Sequence, residues 1–271
     1  MDKLLFGCSG LPLGQGRKFT QATAIPYLKD LGLEAMELLF VRSVNVTAKN
    51  QAGILAAKAE HGFYLSAHGS YYLNLNSSDP QVRDKSLQRI EQGAKGLALV
   101  AGRSLVFHPG FYQGDCPERA YAAIRDNLAR LPDLGVDYRL ETTGKGTQFG
   151  TLAELLALSR EVKTCRPCID FAHLHARGNG ALKDYEDFAR VLQAVQDALG
   201  RQAMEDLHLH MGGIAYGPKG ERHHLPLLES DFNYKACLRA LKDFGAKGCV
   251  ICEGPRVQYD ALVLKKAYQG L

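Results

Sequence analysis

Five histidines and four carboxylates, His68, His108, His173, His208, His223, Glu141, Asp170, Glu221 and Glu253, sit near the ends of short strand-like runs in this chain. Imidazole nitrogen and carboxylate oxygen converging from separate strands form the donor mix that a cluster of divalent metals requires. Such clusters do hydrolytic chemistry. Each residue also has a plainer reading. His68 and His108, in Ala67-His68-Gly69-Ser70 and Phe107-His108-Pro109-Gly110, fit core or turn histidines with satisfied nitrogens. Glu141 could pair with a basic neighbour, Arg139 or Lys145. Asp170 and His173, three apart, fit a helix N-cap followed by a loop histidine as well as a first-turn pair facing one centre. Glu253-Gly254-Pro255 fits a strand closed by a turn. These plainer readings are independent of one another, whereas a metal cluster explains all the residues together.

The elements that must position these groups are legible in the hydrophobic pattern. Short β-rich runs at 4–8, 35–40, 64–68, 104–108, 137–141, 166–170, 207–210 and 249–253 alternate with amphipathic stretches. Two of the stretches are clear helices, Gln81 to Val100 and Tyr185 to Leu199. Strands alternating with helices in this way predict a parallel sheet closed into a (β/α)8 TIM barrel, with 1–271 as a single domain. In such barrels the active site is built at the C-terminal ends of the strands, and His68, His108, Glu141, Asp170, His208 and Glu253 lie at six of those ends. The segment from Met211 to Asp231, with its Gly-Pro-Lys-Gly stretch, reads as a long functional loop.

Composition excludes other classes. At 271 residues, with 46% hydrophobic and 23% charged residues, the chain is neither disordered nor of membrane type. A net charge of +4 is compatible with an anionic partner without implying nucleic acid. The N-terminus lacks a signal-type apolar run and no stretch has the length of a membrane span, which points to the cytoplasm. Seven cysteines in that setting read as reduced thiols, and Cys165-Arg166-Pro167-Cys168, inside a strand with no second pair, as structural. Lys145, Arg177, Lys219, Arg222 and Arg256 read either as phosphate holders or as a solvated rim.

The blocks His68 to Leu75, Val106 to Gly110, Leu140 to Gly146, Cys168 to His173, Glu221 to His224 and Cys252 to Pro255 resemble, in order, the signature blocks of the endonuclease IV family of apurinic/apyrimidinic endonucleases. The resemblance implies a xylose isomerase-like barrel holding about three divalent ions, zinc with manganese possible in some sites. It assigns His68, His108 and Glu141 to one ion, Glu141 as a bridge with Asp170, His208 and Glu253 to a second, and His173, Glu221 and His223 to the third. His208 is chosen because it stands thirteen residues before Glu221, the family's spacing. Glu141 then serves as the catalytic, water-orienting carboxylate. The implied activity is hydrolysis of the DNA phosphodiester 5′ to an abasic site in base excision repair, by a monomer acting on double-stranded DNA.

The chain departs from the family where DNA is recognised. Glu221 replaces the usual aspartate, and no tryptophan is present. Arg42 is the one candidate wedge in the loop after the second strand, Tyr71 matches a family tyrosine, and Tyr72 stands at an apolar wedge position. Two other classes remain open: a metal-dependent sugar isomerase or epimerase on the same barrel, which needs fewer ions, and a metal-binding barrel without nuclease activity.

Overall fold

Aliphatic and aromatic runs of this kind form strands because a parallel sheet is covered on both faces. The computed structural model describes residues 1–14 and 16–271. Its strands are β1 (Leu4–Ser9), β2 (Ala35–Leu39), β3 (Tyr64–His68), β4 (Ser104–Phe107), β5 (Gly110–Phe111), β6 (Asp137–Glu141), β7 (Gln148–Phe149), β8 (Cys165–Asp170), β9 (Leu207–Met211), β10 (Gly213–Gly217), β11 (Gly220–Leu225) and β12 (Gly248–Cys252). β1, β2, β3, β4, β6, β8, β9 and β12 form one closed parallel barrel, β12 returning to β1 in the register Leu4↔Gly248 to Cys8↔Cys252. Every expected strand is present, with ends within one residue of the sequence reading.

The helix at Tyr185–Leu199 appears as expected, started by a reciprocal cap between Asp184 and Asp187. The other helix runs Pro80–Ala98 rather than 81–100. Asp79 caps it by accepting from the Gln81 amide at 2.8 Å, and Pro80 occupies a first-turn position that needs no N–H donor. Its C-terminal end comes early because Ala101 turns the chain with a left-handed φ of 51°. The segment Met211 to Asp231 is not the irregular loop expected. Most of it is an antiparallel hairpin, β10 with β11, turned at Gly217-Pro218-Lys219-Gly220, where Gly220 takes φ +90°.

Two cores hold the barrel. The larger lies between sheet and helices, where side chains such as Leu28, Leu105, Leu192 and Leu238 are fully buried. Each such leucine contributes about 2 kcal/mol of hydrophobic stabilisation. The smaller fills the N-terminal half of the barrel lumen with Ala35, Tyr64, Cys249, Ile251 and part of Leu5. Below it Arg139, 2% exposed, is held by Asp206 at 2.9 Å and Asp137 at 3.3 Å. That disposes of Arg139 as a partner for Glu141. Gly7 is required where β1 meets β2, since a Cβ there would lie 2.1 Å from the Ala35 carbonyl oxygen. Among the described residues, no helix is long and apolar enough to cross a membrane.

Candidate metal centre

Strand alternation sends Tyr64, Ser66 and His68 of β3 into the lumen, and only the last reaches the C-terminal mouth. There the Glu141 carboxylate, at the end of β6 and fully buried, stands between two groups of histidines. Its Oε2 meets His68 Nε2 at 3.1 Å and His108 Nε2 at 2.9 Å. Its Oε1 meets His210 Nδ1 at 3.0 Å and His173 Nδ1 at 3.3 Å. Asp170 caps the helix Phe171–Arg177, its Oδ1 accepting from the His173 amide at 2.8 Å while its Oδ2 faces the His173 ring at 3.3 Å. Asp170 is therefore an N-cap, but His173 lies in the first turn of the helix and not in a loop, which leaves the two side chains as a first-turn pair. Backbone carbonyls fix two rings: His68 Nδ1 donates to Gly69 at 3.0 Å and His173 Nδ1 to Thr142 at 2.9 Å, so the Nε2 lone pair of each is turned to the centre.

Two of the nine expected ligands are elsewhere. His208 and His210 both point into the lumen from β9, but His208 lies one layer deeper, its Nε2 3.1 Å from Glu37 and its Nδ1 3.4 Å from the Tyr64 hydroxyl. His210 takes the place expected of His208, 3.0 Å from Glu141 and 3.4 Å from Glu253. The alternation Leu207-His208-Leu209-His210 carried the signal, because of two inward residues the later one is nearer the mouth. His223 is likewise displaced. β11 bulges, pairing Tyr216 with Glu221 and Ala215 with His223, and the extra residue Arg222 reverses the alternation. Glu221 and His224 then share one face while His223 is exposed. His224 Nε2 approaches Glu253 at 3.6 Å, and Glu221 Oε2 approaches His173 Nε2 at 3.6 Å. Gly144 lets Glu221 come close, since a Cβ at that glycine would lie 2.6 Å from the Glu221 Cβ.

These donors fit metal ions. His68, His108 and Glu141 offer ligand atoms within 4.8 Å of one another, as do Glu141, Asp170, His210 and Glu253, and Asp170, His173 and His224. The contacts of 2.9 to 3.6 Å between facing donors bracket the roughly 3.4 Å edge of a tetrahedron of ligands around zinc. Asp170 Oδ2 and His224 Nδ1 are buried with no hydrogen-bond partner among the described residues. An orphaned buried polar atom costs about 1 to 3 kcal/mol, which a coordinated ion removes.

The proton affinities of these side chains follow the same crowding. Burial opposes charge on His68, yet the Glu141 carboxylate outweighs it and raises that imidazole to about 9. His173 is raised well above the usual range against its own burial, chiefly by Asp170 and Glu141. Burial would raise Glu141, but His108 and His210 hold it well below the carboxylate range. Asp170 goes the other way, raised by burial and by its carboxylate neighbours. A ligating imidazole must be neutral, so loading zinc at pH 7 should release protons, at least one of them from His68. Apparent affinity should rise with pH through about 9, where His68 gives up its proton. Calorimetric titration in buffers of different ionisation enthalpy measures this; uptake without proton release counts against the arrangement.

The remaining predicted residues divide. Tyr71 and Tyr72 are each 64% exposed at the rim. Tyr71 leans edge-on against His68 at 5.4 Å, and the Arg89 guanidinium lies 6.0 Å over the Tyr72 ring. Arg42 is exposed on a neighbouring hollow with Arg89 and Lys95. Lys145 lines the cleft, while Arg177 is spent on the carbonyls of Lys145 and Gln148, at 2.7 and 3.0 Å. Cys165 and Cys168 face opposite sides of β8, one in the outer core and one toward His208 and His210, so they form no paired site. The cleft over the centre holds about 410 Å³ and is bordered by Leu39, Tyr71 and Phe111. A larger hollow of about 670 Å³, lined by residues such as Met1, Lys58 and Leu134, contains none of the donor residues.

A family model described as xylose isomerase-like TIM barrel matches residues 25–269. An uncharacterized protein of Methanocaldococcus jannaschii is 43% identical over 274 residues, 99% of this chain and 98% of that one. A probable endonuclease 4 of Chloroflexus aggregans is 26% identical over 210 residues, 72% of this chain and 73% of that one. Among solved structures, a D-tagatose 3-epimerase-like protein superimposes with a TM-score of 0.75 at 20% identity, covering 98% of this chain and 96% of that one. Endonuclease IV from Thermus thermophilus gives 0.69 at 23% identity, covering 97% and 98%. At these identities the two structures establish likeness of fold.

Proposed function

The chain belongs to the xylose isomerase-like TIM barrel family, and from that premise we propose that it is a zinc-dependent apurinic/apyrimidinic endonuclease, cleaving double-stranded DNA 5′ to abasic sites in base excision repair. The observation that carries this reading is the number of donors around one bridging carboxylate. His68 and His108 face one oxygen of Glu141, His210 and His173 face the other, and Asp170, Glu253, Glu221 and His224 complete the ring. That set exceeds what one or two ions use. Zinc bound there supplies a nucleophile at neutral pH and stabilises charge on the phosphoryl and leaving groups.

The chain's own groups do the rest. Glu141, kept ionised by its histidines, ties the two halves of the centre together and orients water at the cleft floor. Lys145 at the cleft edge meets an anionic backbone, and the exposed rings of Tyr71 and Tyr72 offer stacking surfaces for bases. A second reading, a metal-dependent sugar isomerase or epimerase, is favoured by the cleft volume of about 410 Å³, which suits a small polyol.

The test compares cleavage of an abasic duplex, an intact duplex and an abasic single strand at one salt concentration, with a small ketose assayed in parallel. Nicking confined to the abasic strands is expected, and ketose turnover with intact DNA would establish the second reading instead. Extruding a nucleotide costs a few kcal/mol, which inserted side chains offset. With Arg42, Tyr71 and Tyr72 left to fill the gap, Arg42→Ala and Tyr72→Ala should each reduce the preference for abasic duplex by about 10-fold. An unchanged preference in both variants places recognition elsewhere.

A further inference from the structure

Glu37 is a carboxylate in the middle of an apolar strand, wholly buried in the lumen one layer below the donor ring. A carboxylate removed from water is costly unless paired and hydrogen-bonded. Three side chains supply that here, all at Oε2: Ser66 Oγ donates to it at 2.9 Å, His208 Nε2 lies 3.1 Å away and His210 Nε2 lies 3.4 Å away, the same His210 nitrogen standing 3.2 Å from Oε1. The two edges of the His210 ring thus look in opposite directions. Nε2 faces down to Glu37 while Nδ1 faces up to Glu141 and Glu253. An imidazole that gives its Nε2–H to a carboxylate keeps the Nδ1 lone pair free, which is the form a metal ligand needs.

We infer that Glu37 is the positioning residue for His210: by accepting its Nε2–H, Glu37 fixes the tautomer and the ring plane that present Nδ1 to a divalent ion at the mouth. His208 supports it from beneath. Its Nε2 holds the shared oxygen, and its Nδ1 meets the Tyr64 hydroxyl at 3.4 Å and the Cys249 thiol at 3.3 Å, so a column of Tyr64, His208, Glu37 and His210 runs up the lumen. The column also accounts for His208, which the donor ring leaves unused. The inference rests on the metal reading of the mouth, and the test separates the two.

The full-length protein is loaded with zinc, and affinity is measured by chelator competition in wild type, Glu37→Gln and Ser66→Ala. The absorption spectrum of the cobalt-substituted protein and the melting temperature of each metal-free form are recorded alongside. Ser66→Ala removes a donor to Glu37 without touching His210, so it reports the purely structural cost of disturbing the column. Glu37→Gln should weaken the binding of one ion by about 10- to 100-fold and change the cobalt spectrum, whereas Ser66→Ala should leave both at wild-type values. Should Glu37→Gln not fold, Glu37→Asp, which keeps the charge but withdraws it by one methylene, should show the same loss in smaller degree. Wild-type affinity and spectrum in a folded Glu37 variant overturn the inference, as does an equal loss in Ser66→Ala. A wild-type protein that takes up no ion overturns the metal reading, and with it this one, before any variant is compared.

Discussion

Glu141→Gln is expected to leave a folded barrel in which the proposed metal-dependent hydrolysis falls by on the order of 10³-fold or more. The size of the effect follows from the geometry. Each oxygen of this carboxylate faces two imidazoles, so it joins the His68–His108 pair to the His210–His173 pair. Glutamine keeps the volume and one acceptor but replaces an anionic oxygen with an amide, so the bridge and the orientation of water are lost together. The fold should survive, because the outer core on which the barrel rests does not include this group. Initial rates on the abasic duplex, with circular dichroism and metal content on the same sample, make the measurement. Near-normal turnover in a folded variant would falsify the assignment of Glu141.

Metal removal should have the other large effect. Prolonged chelation is expected to abolish cleavage and zinc to restore it, with elemental analysis finding about three ions per chain in the reloaded protein. The count discriminates between readings. His68, His108 and Glu141 make one set and Glu141, Asp170, His210 and Glu253 a second, while His173 with Glu221 and His224 makes a third at the hairpin. One or two ions support the isomerase reading, and one equivalent or fewer after reloading rules out the three-ion centre. Loss of the ions should also lower the melting temperature by about 10 °C, since a ligand at a thousandfold excess over its dissociation constant adds about 4 kcal/mol to a chain of this size. A chelated protein that still cleaves at full rate removes metal from the mechanism.

The sequence by itself determined the barrel and most of the donor ring. Eight short apolar runs alternating with amphipathic stretches allow few other closed arrangements, and the strands formed within a residue of their expected ends. His68, His108, Glu141, Asp170 and Glu253 were legible for the same reason: a ligand-type side chain closing a barrel strand points to the C-terminal mouth whatever the rest of the chain does. Local pattern stops there, because a period of two fixes the face a residue occupies but not its height along the barrel axis. Height depends on the tilt and stagger of all the strands together, which is why His210 and not His208 reached the ring. The hairpin shows the same limit, where one extra residue opposite Ala215 and Tyr216 turned His223 outward and His224 inward. Glu37 was hidden most completely. Within Ala35-Met36-Glu37-Leu38-Leu39 nothing local accounts for a buried charge, and its partners Ser66, His208 and His210 come from strands that are brought together only when the barrel closes.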